Sequence, residues 1–598
     1  MRVADYIAQF IAEHEQTAKT VFMVSGGGNM HLIDALGLNK KLRYVCNHHE
    51  QACAMAAEGY SRVSNQIGVA CVTTGPGGTN AITGVMGAWV DSIPMLIVSG
   101  QVKFETTIAS QPRLNLRQLG DQEINIVDII RPITKYAVMI TDKMSIRYHL
   151  EKAVYEAKYG RPGPVWIDVL LDIQGAQIEL ELLEGFAPPP KPAYDLKIDQ
   201  VMAALKRAKR PVMIAGNGIR LAGAQAKFID FLEKLKIPVL TSISGIDVLN
   251  SDHDLFFGRP GILGERAANF ILQNSDLLLI IGARMNLRVI SYNWDCLARD
   301  AVKIMVDVDE NELHKKTLNI DIKIHGDASL FIEELANEIT TPITLDGQWL
   351  DYCKKIQEKY PVFADEHLKS EYISSYYFAR VLSESIGENE IVVTGNGTAY
   401  TSTYQAFRVK KNGRIFANVG CASMGYDLPA AIGACFSSGK KVICVTGDGS
   451  IQMNIQELQT IIHHQLPIVI IVFNNNGYLS IRTTQGGFFD KNYIGEGVRS
   501  GVSIPDMVNI AKAYGLKTYR LKGNDEVKES LYDIISSVDE CGPVLCELIM
   551  DPFEKLLPKI SSYKKEDGTI VSKPLEDLYP FLEREEFLSN MLVKTVEE

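Results

Sequence analysis

The sequence has no paired cysteines: ten are scattered over 598 residues, with no C-x-x-C and no metal-ligand spacing. That excludes a disulfide-stapled framework and a structural zinc site, and it reads as reduced thiols in a cytoplasmic protein. Positive charge is also short, with 61 Lys and Arg against 72 Asp and Glu and a net charge of −11. No basic face is therefore on offer to nucleic acid, although a local basic pocket for a small anion stays open. No run of about 18 apolar residues occurs, so no membrane span is expected. The opening MRVADYIAQFIAEHEQ carries acids and reads as an amphipathic helix, not as a secretory leader. Low-complexity segments and exact repeats are missing too.

What is present is ordinary globular composition, 46% hydrophobic and 22% charged. The length suits three or four domains. Three blocks share one rhythm: short β-branched runs, Gly-rich turns, then helical periods. That is the pattern of α/β folds with doubly wound parallel sheets. Expected strands are VFMVS, IGVACVT, PMLIVSG and VWIDVLL in residues 1–175. In residues 190–345 they are PVMIAGNG, DLLLIIGAR and VKIMVDVD, and in residues 365–560 EIVVTGNG, KVICVTGDG, IVIIVFNN and PVLCELI. The Pro-rich APPPKPAYD, from Ala187 to Asp195, is a linker, and the second block ends near Pro342. A polar helical stretch around Tyr352 to Ser370 leads into the third block. The charged tail 561–598 is helical in pattern and expected to be solvated, with a lid or a subunit contact as the alternative. The first and third blocks are compatible with two copies of one fold.

The sharpest local signal is VICVTGDGSIQMNIQELQTIIHHQLPIVIIVFNNNGY. A buried strand ends at Gly447-Asp448-Gly449-Ser450, a helix follows, and a second buried strand ends at Asn474-Asn475-Asn476. In one right-handed βαβ unit Asp448 and Asn475 come together beyond the carboxyl ends of parallel strands, where open α/β sheets bind ligands. One carboxylate, one amide oxygen and a nearby carbonyl suit Mg²⁺, which takes further oxygens from phosphates. The flanking glycines admit a diphosphate, and the new helix adds amide donors. An Asx turn would account for an isolated G-D-G; the Asn run at the end of the following strand argues for the cofactor reading. In YVCNHHEQACAMAAEGYSR, Glu50 opens a helix, a place that acids take for dipole reasons alone.

These segments resemble thiamine-diphosphate enzymes. The resemblance makes Asp448 and Asn475 side-chain ligands of Mg²⁺ and Gly477 a carbonyl ligand. It makes Glu50 the acid that hydrogen-bonds the aminopyrimidine ring and so activates the cofactor. TTGPGGTNAITGVMGAWVDSIPMLIVSGQ (Thr73 to Gln101), the turn Gly26 to Gly28, GRPGPVWIDV at Gly160 and GCASMGYDLPAAIGA at Gly420 look like the acetolactate synthase group. By that resemblance Gly26 and Gly27 face the substrate and Gln101 lines its pocket. Gly395, Asn396, Gly397, Thr398, Ala422, Gly447, Gly449, Ser450 and Tyr478 surround the cofactor, and Met424 wedges between its rings. The first and third blocks become pyrimidine- and diphosphate-binding domains, and each site needs two chains of a homodimer or homotetramer.

The middle block resembles the group's flavin domain, through AGNGIR, IIGARMNLR, VDVDENE and GDA. It implies FAD near Gly216, Gly218, Arg284, Asp307 and Asp327, in a domain that relatives also carry empty or with other nucleotides. Two departures bear on the acceptor. Thr484 stands where the group has a Trp. The loop VKFETTIASQPRLNLRQLGDQE is longer than expected and carries Arg113 and Arg117.

The expected function is decarboxylation of a 2-oxo acid, pyruvate first, with transfer of two carbons to an acceptor. The alternative acceptor is a nucleotide-linked keto-sugar. A non-catalytic homologue would need a broken Glu50 or a broken Asp448–Asn475 pair, and both are intact. A dehydrogenase would need the full G-x-G-x-x-G with its distal acid, which is missing.

Overall fold

The computed structural model describes residues 1–340, 347–564 and 568–596. Three parallel sheets carry the described chain. The first is built from β1 (Thr17–Met23), β2 (Arg43–Cys46), β3 (Ile67–Val72), β4 (Met95–Gln101), β5 (Tyr136–Ile140) and β6 (Pro164–Leu170), in the order β2-β1-β3-β4-β6-β5. The second holds β7 (Pro211–Ala215), β8 (Val239–Thr241), β9 (Leu277–Ile281), β10 (Val302–Asp307) and β11 (Ile322–His325), in the order β11-β10-β9-β7-β8. The third holds β12 (Ile391–Thr394), β13 (Arg414–Phe416), β14 (Val442–Gly447), β15 (Ile468–Asn474), β16 (Lys517–Leu521) and β17 (Val544–Ile549), in the order β13-β12-β14-β15-β17-β16. The fold class is the one expected. The first and third sheets share one strand order, which periodicity alone did not reveal.

In each sheet the chain order reverses at a central place: between β1 and β3, between β7 and β9, and between β12 and β14; the first and third sheets turn back once more at an edge, where β6 lies inside β5 and β17 inside β16. Such switch points open a crevice at the carboxyl ends of the strands. Each Gly-rich turn singled out in the sequence falls on one of them.

The first and third domains meet through the helices Glu50–Ser64 and Asp427–Ser438. The crossing is close because it is made by glycines. A Cβ on Gly59 would lie 2.3 Å from the carbonyl oxygen of Ala430, and one on Gly433 would lie 1.9 Å from that of Ala56.

The tail corrects the expectation of a solvated segment. Strands β18 (Ser562–Lys564) and β19 (Ile570–Ser572) pair antiparallel, and the short helix Arg584–Ser589 follows. Leu575 and Phe587 are buried against the second domain, and Leu578 is buried as well. The Arg266–Gln273 helix grips their backbone: Arg266 donates to the carbonyls of Leu578 and Pro580 at 3.2 and 2.6 Å, and Asn269 to that of Leu575 at 2.9 Å. Tail positions 565–567 and 597–598, and the expected end of the second block near Pro342, lie outside the described residues. Among the described residues no helix is long and apolar enough to cross a membrane.

Candidate active site

Strands β14 and β15 are adjacent and parallel, with Gly447 paired to Phe473. Asp448 and Asn475 therefore leave neighbouring strands at the same edge. The Asp448 carboxylate is buried and accepts from the N–H of Gly449 at 2.7 Å and of Gly477 at 3.0 Å. Burial pushes its carboxyl up to about 7. Beside it the side-chain oxygen of Asn475 is buried and has no hydrogen-bond partner among the described residues. An unpaired buried acceptor costs about 1–3 kcal/mol, so a cation is the partner this oxygen fits. One carboxylate, one free amide oxygen and carbonyls suit Mg²⁺, with diphosphate oxygens completing its shell.

The walls come from three further segments. Strand β12 ends at the turn Gly395-Asn396, and the helix Gly397–Ala406 starts there. The Thr398 hydroxyl is buried and unpartnered among the described residues. Asn396 donates its amide to the carbonyl of Ala422 at 3.0 Å. Ala422 sits at φ +52°, a left-handed conformation that costs a non-glycine residue about 1–2 kcal/mol. Backbone strain of this kind gathers at ligand clamps. The Met424 methyl and the Tyr478 ring both close on Gly449, where a Cβ would lie 2.2 Å from the ring. Gly447 faces open space. The structure thus brings together Gly395 to Thr398, Ala422, Met424, Gly447 to Ser450, Asn475, Gly477 and Tyr478.

One local expectation changes. The segment after Ser450 is first a 3-10 turn, Ile451–Asn454, and the α-helix begins only at Glu457. The amide donors at the cradle come from a tight turn and not from a helix end.

Several supporting residues escaped the sequence reading. Buried Asp427 accepts from the Ser450 hydroxyl at 2.6 Å, and Ser450 in turn accepts from the N–H of Gly425 at 3.0 Å. Arg482 is buried in an ion pair with Glu496 and donates to the carbonyls of Asn475 and Asn476 at 3.3 and 3.1 Å. An acid inside the Ala-rich run GYDLPAAIGA was the available signal for Asp427. The Arg482–Glu496 pair had none, because its members lie 14 positions apart, Arg482 on the helix Leu479–Phe488 and Glu496 in the loop beyond it.

In the first domain Glu50 opens its helix and accepts from the Asn80 amide at 3.0 Å. The glycine turn after β1 packs on the end of β3: a Cβ on Gly26 would lie 2.5 Å from the Thr73 hydroxyl. Two residues expected at the substrate are engaged within the chain. The N–H of Gly26 is given to Asn29 Oδ1 at 2.9 Å. Gly27, with nothing within 4 Å of a Cβ, is the open position. Gln101 is buried and turned inward. Its amide donates to the Ile124 carbonyl at 2.9 Å and to Asp168 at 3.2 Å, and its oxygen accepts from Val102 N–H at 3.0 Å.

The second domain encloses a cavity of about 540 Å³ lined by Gly218, Arg284, Asp307 and Asp327, together with Arg161 of the first domain. Gly216 does not line it; a Cβ there would lie 2.0 Å from the carbonyl of Gly282, so this glycine serves the close packing of the β7 and β9 turns. Burial lifts the Asp307 carboxyl to about 6. Asp327 caps the helix Ala328–Glu338. Arg113 and Arg117 are exposed, on a loop tied down by Glu123, whose carboxylate accepts from Ile108 and Leu119 N–H at 2.7 and 3.0 Å. Thr484 is exposed on the helix Leu479–Phe488.

Three domains of thiamine pyrophosphate enzymes match the chain: the N-terminal TPP-binding domain over residues 1–126, the central domain over 198–335 and the C-terminal TPP-binding domain over 395–548. The chain is 31% identical to a probable acetolactate synthase large subunit of Methanococcus aeolicus, over 92% of both chains. It is 31% identical to the acetolactate synthase large subunit of Lactococcus lactis, over 93% of this chain and 94% of the relative. The chloroplastic acetolactate synthase of Arabidopsis thaliana is 30% identical, over 92% of this chain and 82% of the relative.

Proposed function

The chain belongs to the thiamine pyrophosphate enzymes, in the group of the acetolactate synthase large subunits, and on that premise we propose that it decarboxylates pyruvate with Mg²⁺ as second cofactor and passes the two-carbon unit to a second 2-oxo acid. It is a thiamine-diphosphate-dependent enzyme. The observation that carries the Mg²⁺ reading is the buried oxygen of Asn475, unpartnered among the described residues, at the strand edge it shares with the Asp448 carboxylate.

Thiamine diphosphate, when bound, supplies the electron sink for cleavage of the carbon–carboxylate bond. The chain supplies the rest. Asp448, Asn475 and the Gly477 carbonyl would hold the cation, and the turns at Gly395 to Thr398 and Gly447 to Ser450 would take the diphosphate. Glu50, fixed by Asn80, would hold a proton at the aminopyrimidine nitrogen. Gly27 leaves room for the 2-oxo acid beside the β1 turn. Because burial and backbone N–H donors fix these groups before any ligand arrives, little reorganisation is left for the reaction itself.

The reading extends to FAD in the 540 Å³ cavity, because Gly218, Arg284, Asp307 and Asp327 line it together. It also extends to a homodimer or homotetramer, and to a reducing compartment such as the cytoplasm, since all ten cysteines are free. A larger acceptor, a nucleotide-linked keto-sugar, is the second reading. It is favoured by exposed Arg113 and Arg117 on the long loop and by Thr484 where a bulky indole was expected. Turnover of pyruvate with a panel of acceptors, followed by mass spectrometry, tests the proposal. Acetolactate as main product, made only with thiamine diphosphate and Mg²⁺ present, supports it. No carbon dioxide release from any 2-oxo acid sinks it.

A further inference from the structure

Glu50 is held through its side chain by Asn80, but its place in space is set by the residues on either side. Two residues before it, His48 donates its N–H to Glu457 Oε1 at 2.9 Å, and Asn47 donates its amide to Glu457 Oε2 at 2.8 Å. One residue after it, Gln51 Oε1 accepts from the Asn454 amide at 2.9 Å. Glu457 and Asn454 belong to the third domain, in the turn and helix that directly follow Gly447 to Ser450. Both are buried, and Glu457 is fully so. Its third donor is the Thr460 hydroxyl at 2.7 Å. A carboxylate buried this deeply without a bonded cation persists only where several donors converge on it. Asn454 also donates to the carbonyl of Gly425, beside Met424, at 2.7 Å.

We propose that Glu457 and Asn454 are positioning residues for Glu50: the segment that forms the diphosphate turn also pins, on both sides, the chain that presents the activating acid. The inference rests on the reading of Glu50 as the group that meets the cofactor. The physical reason is reach. The Glu50 carboxylate is tethered at its tip to Asn80, so a shift of its backbone either strains that bond or carries the carboxylate away from its place. A misplacement of about 1 Å at a proton-transferring group can cost about a hundredfold in rate.

The test uses the full-length chain as wild type, Glu457→Ala, Glu457→Gln and Gln51→Ala. Three quantities are read: amide hydrogen exchange of residues 47–51 in the cofactor-free protein, exchange of the C2 proton of bound thiamine diphosphate by quench NMR, and cofactor affinity by calorimetry. Glu457→Ala should raise amide exchange about tenfold and slow C2-proton exchange about tenfold, with cofactor affinity within about threefold of wild type. Glu457→Gln should restore both rates. Its oxygen accepts from His48 N–H, and its NH₂ meets Asn47 Oδ1, which has no partner among the described residues. If Glu457→Ala does not fold, Gln51→Ala carries the same readouts at about threefold, since it removes one weaker pin. Wild-type C2-proton exchange in the folded variants overturns the proposal. So does an affinity loss equal to the rate loss, which would make Glu457 part of the cradle alone. Glu457→Gln as defective as Glu457→Ala also overturns it, in favour of a role for the charge itself. A wild-type chain that does not bind thiamine diphosphate defeats the function reading instead, and the amide-exchange response of residues 47–51 would still stand.

Discussion

Asp448 and Gly477 are joined across 29 positions by one hydrogen bond, the Gly477 N–H donating to the Asp448 carboxylate at 3.0 Å. That bond ties two strand ends together at the edge where the Asn475 oxygen is buried without a partner among the described residues. Replacing Asn475 by Ala should therefore separate stability from metal binding. The cofactor-free variant should melt at or above the wild-type temperature, because an orphan acceptor worth about 1–3 kcal/mol is removed. The rise in melting temperature on adding Mg²⁺ and thiamine diphosphate should vanish. An undiminished rise would show that Asn475 is not a metal ligand.

Gly449 is closed in by the Tyr478 ring, so Gly449→Ala should overpack the cradle at a cost of about 1–3 kcal/mol. Shortening Tyr478 to Leu should recover much of that loss in the double variant. Strict additivity of the two changes in denaturant titrations would contradict the contact.

Hybrid oligomers test whether sites lie between chains. Glu50→Gln and Asp448→Ala should each be inactive alone. Randomly reassociated dimers should regain about a quarter of wild-type activity if each site takes Glu50 from one chain and Asp448 from the other, since half the dimers are mixed and each has one intact site. Mixed dimers with no activity would place both residues of a site in one chain.

Asp168 gives a pH signature that needs no cofactor. Buried with Ser99 and Gln101 as its partners, its carboxyl is pushed up to about 7 by burial. The fold thus prefers the protonated acid. Its stabilising effect is complete below about pH 4 and lost as the pH climbs through about 7, at about 1.4 kcal/mol per pH step. Between pH 4.5 and 7.5 the wild type should lose about 3 kcal/mol more than Asp168→Asn in urea titrations. Parallel pH profiles would mean that the acid is ionised throughout.

The acceptor question turns on Arg113 and Arg117. Double replacement by Ala should raise KM for a large anionic acceptor about tenfold per arginine and leave pyruvate decarboxylation nearly unchanged. Acetolactate made at the parental rate by the double variant, with pyruvate still the best acceptor, would remove the larger-acceptor reading.

How much of this was legible in the sequence follows from burial. The eleven apolar runs taken as strands are the interior strands of the three parallel sheets, and the six strands of those sheets that went unnamed are their six edges. Interior strands are covered on both faces and spell continuous hydrophobic runs. Edge strands such as β2 and β16 are largely exposed and carry Arg43 or Lys517 and Arg520, so they do not stand out from loops. The cradle was legible because glycines, Asp448 and Asn475 occur at strand ends with a fixed helix between them. The inward turn of Gln101 was not, because its partners Ile124 and Asp168 come from other elements. Glu457 left a trace, as an acid on the apolar face of NIQELQTII, but its partners Asn47 and His48 lie about 410 positions away.

The grip of the Arg266–Gln273 helix on the tail has a mechanical meaning. The second domain is fastened to the third by the segment around the helix Gly347–Lys359, and again by the returning chain beyond β17. The middle domain is thus tied to the third at two separate places in the chain. A protease cut between β17 and Leu575 would undo one strap, while the severed tail stayed docked through Arg266 and Asn269. The nicked chain would keep its cradle while its middle domain came loose.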